Sequence, residues 1–388
     1  MKNYDEIFTN IKHQVIRDID MSRELSDEEL IAKIDCVITK SDKMFFTSVK
    51  ERIKLRKDIF DSFRRLDVLQ DLIEDDSITE IMINGIGNIF YEKNGLISKW
   101  SRNFSDKEKL EDVIQQIVSK INRVVNTSSP IADARLDDGS RVNVVLPPIA
   151  PEGPIVTIRR FPKEPITMQK LIEYGSINGE VADFLKERVT DGCNIFISGG
   201  TGSGKTTFLN ALSEFIPKGE RVITIEHSLE LQLKIDNLVR LEARNANVAG
   251  EGEISIRELI KTALRMRPDR LIVGEVRGEE ALDMLQAMNT GHDGSLSTGH
   301  GNSPRDMLSR LETMVLMSGE LPLYAVRNQI ASALDLMIHL GRMKDGSRKV
   351  LSIVEVIGYE DGEVKLENIF ERKNGDIKRV GEYKKNRR

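Results

Sequence analysis

Residues 193–212 read CNIFISGGTGSGKTTFLNAL. Residues 193–198 are a short apolar run, the pattern of a strand buried on both faces. Gly199, Gly200, Thr201, Gly202, Ser203, Gly204, Lys205, Thr206 and Thr207 follow and satisfy the spacing GxxxxGK[ST]. From Thr206 to Ile216 the apolar spacing turns helical. Strand, glycine-rich loop and helix in that order make a phosphate cradle. The glycines let backbone N–H groups converge on phosphate oxygens, the Lys205 ammonium reaches the β- and γ-phosphates, and the Thr206 hydroxyl can ligate Mg²⁺. The sequence predicts a nucleoside triphosphate site.

Two segments downstream end apolar runs in acids. Residues 265–277, RMRPDRLIVGEVR, read as a buried strand delivering Glu275 at its carboxyl end, the edge where open α/β sheets bind ligands. A carboxylate there holds Mg²⁺ through water or orients the attacking water; Gly274 stands where the usual pattern has a further acid. Residues 223–230, ITIEHSLE, nominate Glu226 and Glu230 in the same way. Residues 290–302, TGHDGSLSTGHGN, read as a glycine- and hydroxyl-rich loop carrying His292 and His300, two of the five histidines. With no cysteine or third histidine beside them zinc is not indicated, and a γ-phosphate sensor or conformational relay fits better.

Around this core the chain reads as several pieces. Residues 1–68 are expected to form an amphipathic helical segment, with Ile7, Ile11 and Val15 at helical spacing and a capping box at residues 26–29. Residues 69–161 read as a smaller α+β domain. Its expected strands are at 78–84 and 89–92, with a return through the turn Asn94-Gly95, and at 155–160, with a hairpin around residues 137–140. One of its helices puts Leu110, Val113, Ile114, Ile117 and Ile121 on one face. Pro162 and Pro165 mark a linker, placed at 162–176. Residues 177–377 alternate helical segments with apolar runs at 195–198, 221–226 and 270–274, the rhythm of a mostly parallel α/β sheet, and end in an antiparallel pair at 336–341 and 349–358.

With 31% charged and 39% hydrophobic residues in 388, the composition is that of a globular protein of two or three domains. No apolar run approaches the roughly 18 residues a membrane span needs, and residues 1–20 lack a signal peptide's apolar stretch. The two cysteines, Cys36 and Cys193, have no ligand or disulfide spacing, which fits a reducing cytoplasm. A net charge of −5, 5% aromatics and one tryptophan, Trp100, argue against a nucleic-acid track. Residues 378–388 carry six basic side chains against Glu382 and read as a solvated tail, with anionic lipid as the alternative contact.

The motifs together resemble the bacterial type II/IV secretion ATPase superfamily, nearest to the tight-adherence pilus ATPases of the CpaF/TadA type. The likeness runs over residues 69–370 and rests on DDSITEIMING (75–85), DARLDDGSRVN (133–143), TIRRF (157–161), GGTGSGKTT, TIEHSLELQL, RMRPDRLIVGEVRG, the segment from 290 to 312, and QIASALDLMIHLGRMKDGSRKV (329–350). It implies a RecA-like ATPase domain preceded by the α+β domain, a homohexamer, ATP and Mg²⁺ as ligands, and work on a membrane-embedded platform at the inner face of the cytoplasmic membrane. Residue by residue it assigns Lys205 and Thr206 to phosphate and Mg²⁺, Glu275 to the Walker B carboxylate, Glu230 to the Asp box, and His292 and His300 to the His box. Arg141, Arg159 and Arg160, on expected strands of the first domain, become candidates for arginine fingers, with surface ion pairs as the alternative. The chain departs from the pattern at His227, where the family usually has aspartate, and at Gly299, where it has a larger apolar residue. Two other readings stand beside this one: a RecA-like nucleic-acid motor, and a non-hydrolysing nucleotide-gated scaffold.

Overall fold

The computed structural model describes residues 4–19, 23, 25–41, 48–93, 95–119, 125–161, 164–244, 246, 251–319 and 321–385. Asn94, Ile121, Pro162, Lys163 and residues 386–388, on which several expectations fall, lie outside the described residues. The chain divides into two compact units, residues 1–163 and 164–388.

The first unit opens with helices α1 (Tyr4–Asp18), α2 (Asp27–Ser41) and α3 (Val49–Arg64). Their apolar stripes meet in a small core of their own that includes Ile11, Val15, Ile34, Leu55 and Ile59. After α4 (Gln70–Glu74) come β1 (Ile78–Asn84), β2 (Ile89–Lys93), β3 (Leu96–Lys99), α5 (Lys107–Ser119), β4 (Ile131–Arg135), β5 (Arg141–Val145) and β6 (Ile155–Arg159). The strands form an antiparallel sheet in the order β3-β2-β1-β6-β5-β4. Leu110, Val113, Ile114 and Ile117 of α5 are buried in its core. Charge links the helices to this layer: Arg102 reaches both Asp58 of α3 at 3.2 Å and Asp71 of α4 at 2.8 Å.

The second unit contains α6 (Met168–Glu173), α7 (Gly179–Thr190), β7 (Ile195–Gly199), α8 (Lys205–Leu212), β8 (Val222–Glu226), β9 (Leu238–Glu242), α9 (Ile256–Ala263), β10 (Arg270–Val273), α10 (Glu280–Met288), β11 (Leu296–His300), α11 (Pro304–Met317), α12 (Leu323–Ala333), β12 (Leu336–Arg342), β13 (Arg348–Glu360), β14 (Glu363–Lys373) and β15 (Asp376–Arg379). The sheet order is β15-β14-β13-β12-β7-β11-β10-β8-β9. From β12 to β9 the neighbours are parallel, and from β12 to β15 antiparallel. Alternation along β7 sends Ile195 and Ile197 into the core under α7 and α8, and Phe196 into the core under α10, α11 and α12.

Two expectations need correction here. The segment 290–302 is not a loop throughout, because Leu296–His300 is a strand between β7 and β10, with Leu296 to Gly299 buried. Its small polar residues hid a central strand: Thr298 spends its hydroxyl on Gly274 O at 2.7 Å, and a Cβ on Gly299 would lie 2.9 Å from Phe196 and 3.0 Å from Met307, which fill the space. The basic tail is also not free over its described part. Lys378 and Arg379 belong to β15, Tyr383 packs against the core, and the backbone N–H groups of Lys384 and Lys385 donate to the fully buried Glu355. Lys385 Nζ lies 2.9 Å from the fully buried Asp335. A charge count along the chain cannot show that buried acids wait for those lysines.

Candidate nucleotide site

β7 hands the chain to the phosphate loop at a place where only glycine fits. A Cβ on Gly199 would lie 2.5 Å from Ser203 Oγ and 2.6 Å from Leu340 O. Gly202 and Gly204 have φ of 68° and 91°, open to glycine at no steric cost. Lys205 begins α8, with Thr206 and Thr207 in its first turn. The Lys205 ammonium is buried, donating to Gly199 O at 3.2 Å and Gly200 O at 3.1 Å and lying 3.3 Å from His300 Nδ1. Those two carbonyls hold in place the cation that a phosphate would engage.

His300 ends β11 in register with Gly199. An ammonium can only donate, so His300 Nδ1 accepts and the ring proton sits on Nε2. Burial and the Lys205 charge push the His300 pKa below its ordinary value against the opposing pull of Glu275, which leaves the ring neutral at neutral pH. Its Nε2 lies 2.9 Å from Glu275 Oε1, close but out of hydrogen-bond alignment, so this oxygen has no hydrogen-bond partner among the described residues. The other oxygen, Oε2, accepts from Arg277 at 2.8 Å. Burial pushes the Glu275 carboxyl up, but the hydrogen bond and charge of Arg277, aided by His300 and Lys205, outweigh it and hold the group below the usual glutamate range. Glu275 is therefore an ionised acceptor with one buried oxygen available to water or a cation.

His300 and Glu275 line a cleft of about 480 Å³ whose walls also include Gly200, Thr201, Arg277, Asp306 and Arg310, and Lys205 is in contact with His300. Arg277, Asp306 and Arg310 were not singled out from sequence. The available signal was the helix start at Ser303-Pro304, which puts Asp306 and Arg310 one turn apart on α11.

Of the two acids nominated from residues 223–230, Glu226 is the more deeply built into the site. It ends β8, is buried, and through Oε2 accepts from the backbone N–H of Glu230 at 2.7 Å and Leu231 at 3.0 Å. Its Oε1 is buried with no partner among the described residues, and burial raises its pKa against those two N–H bonds. A Cβ on Gly274 would lie 3.0 Å from Glu226 Cγ, so glycine at that position makes room for this side chain. Glu230 stands within electrostatic reach of Arg277. His227 is exposed. Glu226 Oε1 and Glu275 Oε1, both without a hydrogen-bond partner among the described residues, and the Thr206 hydroxyl are each hard oxygen donors of the kind Mg²⁺ takes.

The structure does not bring His292 to this cleft. It precedes the amino end of β11, where its Nδ1 lies 3.2 Å from Ala287 O at the end of α10. At about 3.3 Å per residue, the strand itself puts more than roughly 10 Å between it and His300. The sequence spacing of the two histidines spans a strand, so they serve opposite ends of the sheet.

In the first unit the three nominated arginines separate. Arg160 is nearly buried and donates through Nη1 to Leu72 O at 3.5 Å, Ile78 O at 3.2 Å and, closer still, to Asp75 O. It closes the end of α4 onto β1, a structural duty that its surface-strand reading did not foresee. Arg159 is exposed and faces Arg141 directly across β5 and β6, while Arg141 faces Arg135 across β4 and β5. Directly opposed residues share a sheet face, so three guanidinium groups lie in one row. Like charges in such a row repel. Arg135 was not nominated, although its symmetry with Arg141 about the hairpin turn was readable.

Comparison with known proteins gives a consistent result. The model of the family described as "Type II/IV secretion system protein" matches residues 64–373. The conjugal transfer protein TrbB of Rhizobium radiobacter is 30% identical over 328 residues, covering 83% of this chain and 96% of its own. The type IV secretion system protein PtlH of Bordetella pertussis is 32% identical, covering 76% of this chain and 94% of its own. Among solved structures, the Legionella pneumophila ATPase DotB superposes with a TM-score of 0.52 at 23% identity, over 73% of this chain and 78% of that one, a likeness of fold.

Proposed function

Because this chain belongs to the type II/IV secretion system protein family and is an ATP hydrolase, we propose that it is the motor of a pilus-assembly or protein-secretion machine. We place it nearest to tight-adherence pilus assembly, working as a homohexamer on an inner-membrane platform protein at the cytoplasmic face. The observation that carries the hydrolytic part is the line of contacts from Lys205 to His300 to Glu275, the last two on the wall of one cleft. No helix among the described residues is long and apolar enough to cross a membrane, so a membrane role would run through a partner.

In this reading the loop N–H groups and Lys205 bind the β- and γ-phosphates. Glu275, ionised and fixed by Arg277, orients the attacking water and accepts its proton, while neutral His300 links the carboxylate to the lysine. Thr206, Glu226 and Glu275 would hold Mg²⁺, which neutralises charge on the phosphates when bound. Arg141 and Arg159 are the finger candidates, two guanidinium-bearing residues directly opposed on β5 and β6, with Glu80 of β1 opposite Arg159 on its other side. Steady-state phosphate release by the purified chain, with oligomer mass measured in the presence of a non-hydrolysable analogue, tests the proposal. Absence of ATP turnover, or equal turnover by Lys205→Ala, overturns it; a fully active monomer overturns the hexamer.

A further inference from the structure

The phosphate loop has two flanks. One is the cleft beside β11 and β10; the other is formed by β12, on the opposite side of β7, and by the hairpin that joins β12 to β13. That hairpin turn is well braced: Met343 N–H donates to Ser347 O at 2.8 Å, Ser347 N–H donates to Asp345 at 2.9 Å, and Gly346 takes φ of 82°. It presents Arg348, the first residue of β13, to the loop. Arg348 Nε donates to Gly202 O at 3.2 Å, and its stem packs where a Cβ on Gly204 would stand, 3.7 Å away. Its side chain is exposed, and its two Nη groups have no hydrogen-bond partner among the described residues.

Behind Arg348 the same strand is stitched to the end of α6. Ser176 Oγ donates to Arg348 O, Val350 N–H donates to Ser176 O at 3.1 Å, and Lys349 Nζ donates to Tyr174 O at 2.7 Å and Gly175 O at 3.0 Å. Arg372 on β14 adds a bond to Ser176 O at 2.7 Å. Gly175 has φ of 63°, so this corner is held in a conformation that other residues resist. Residues 174–176 are therefore tied, through one short strand end, to a side chain resting on the phosphate loop.

We propose that Arg348 is a second cationic positioning residue for the phosphates of a bound nucleoside di- or triphosphate, and that it carries the occupancy of the loop to residues 174–176. This inference rests on the nucleotide-site reading above. The peptide whose carbonyl Arg348 holds also contains the Ser203 N–H, which in this structure closes on Gly200 O at 3.3 Å. A peptide unit is rigid and planar, so turning that N–H toward a phosphate oxygen swings Gly202 O against Arg348. The unpartnered Nη groups add donors on the flank opposite Lys205, in a fork that suits phosphate. Because residues 174–176 lie just after the start of the second unit, a shift there bears on the chain leading to the first.

The test compares the full-length wild type with Arg348→Ala, Arg348→Lys and Lys205→Ala, using Mg·ADP and a non-hydrolysable Mg·ATP analogue. Loss of a charge-assisted hydrogen bond should weaken nucleotide binding by about tenfold in Arg348→Ala. Arg348→Lys should recover part of it, and kcat at saturating ATP should stay within about threefold of wild type in both. Amide hydrogen exchange over residues 171–176 should slow on nucleotide binding in wild type and fail to slow in saturated Arg348→Ala. Should alanine disturb folding, Arg348→Gln, which keeps the stem on Gly204, is read the same way. Wild-type affinity in Arg348→Ala, or wild-type slowing over 171–176 in its nucleotide-bound form, overturns the proposal. Nucleotide binding that is absent in wild type, or unaffected by Lys205→Ala, instead overturns the functional reading beneath it.

Discussion

His300 Nδ1 lies 3.3 Å from Lys205 Nζ, joining the end of a central strand to the cation of the phosphate loop. The lysine is thus shared between two loop carbonyls and a ring whose other nitrogen faces Glu275. Any ligand that draws Lys205 forward takes its charge away from His300 and alters the surroundings of the carboxylate.

Glu275→Gln should bind ATP but hydrolyse it on the order of 10²-fold more slowly, because the amide keeps the shape and loses the charge. Single-turnover hydrolysis and equilibrium binding check this. Normal turnover in Glu275→Gln together with a dead Glu226→Gln would move the role to the buried glutamate on β8.

The pH profile should carry the signature of His300. Its pKa is depressed by burial and Lys205, so the folded state keeps the ring neutral where an unfolded chain would protonate it. The associated stability is present above about 6.5 and is lost as pH falls from there through the folded value. ATP turnover should hold through the pH at which an ordinary histidine protonates and decline only below it, as the folded ring gains a proton. His300→Gln should lack that acid limb, and in Lys205→Ala the histidine should titrate at higher pH, both readable by rate profiles and ring NMR.

The arginines should divide by phenotype. Arg159→Ala and Arg141→Ala should lower turnover, by roughly 10³-fold if either supplies a finger, with little change in melting temperature. Arg160→Ala should instead destabilise the fold by about 1–3 kcal/mol, since it strands carbonyls at the end of α4. Thermal unfolding and ATPase rates of the three variants decide, and wild-type turnover in both Arg141→Ala and Arg159→Ala removes them from the mechanism.

Removing residues 382–388 should lower the melting temperature by several degrees, because buried Glu355 loses two backbone N–H donors and buried Asp335 loses the Lys385 ammonium. Lys385→Met alone should cost up to about 3 kcal/mol, as it leaves Asp335 without its ammonium. Membrane co-sedimentation lost by such a truncation would report unfolding, so it has to be read beside a melting curve.

How much could be read in advance depended on what each residue must do. The loop from Gly199 to Thr207 was legible because phosphate binding fixes residue types at fixed spacing, and Glu275 because a strand end aims it. β11 was not legible, since Ser295, Ser297, Thr298 and Gly299 look like loop residues until Ser295 and Thr298 hydrogen-bond the neighbouring strand segment at Leu271 and Gly274. The separation of His292 from His300 followed from that missed strand. Arg159 and Arg160 are adjacent in sequence and similar in chemistry; only the fold, in which Arg159 ends β6 and Arg160 lies just past it on the carbonyls of Asp75 and Ile78, distinguishes an exposed arginine from a buried clamp. Arg348 carried no local pattern, because its partner Gly202 lies on a different strand connection.

The ties from residues 383–385 into the second unit also bear on its biosynthesis. Asp335 immediately precedes β12, the strand paired with β7, and Glu355 lies on β13 beyond it; Asp335 also accepts from the Asn194 N–H at the entry to the phosphate-loop strand. These acids are buried when the unit is folded, and their partners at Lys384 and Lys385 come some thirty residues or more after them in the chain. Until synthesis has passed residue 385 the phosphate loop has been made, but Glu355 lacks the amides of residues 384 and 385 and Asp335 lacks the Lys385 ammonium. Completion of the nucleotide domain is thereby coupled to synthesis through residue 385, and a nascent chain arrested earlier would present an unfinished core to chaperones and proteases rather than a working ATPase.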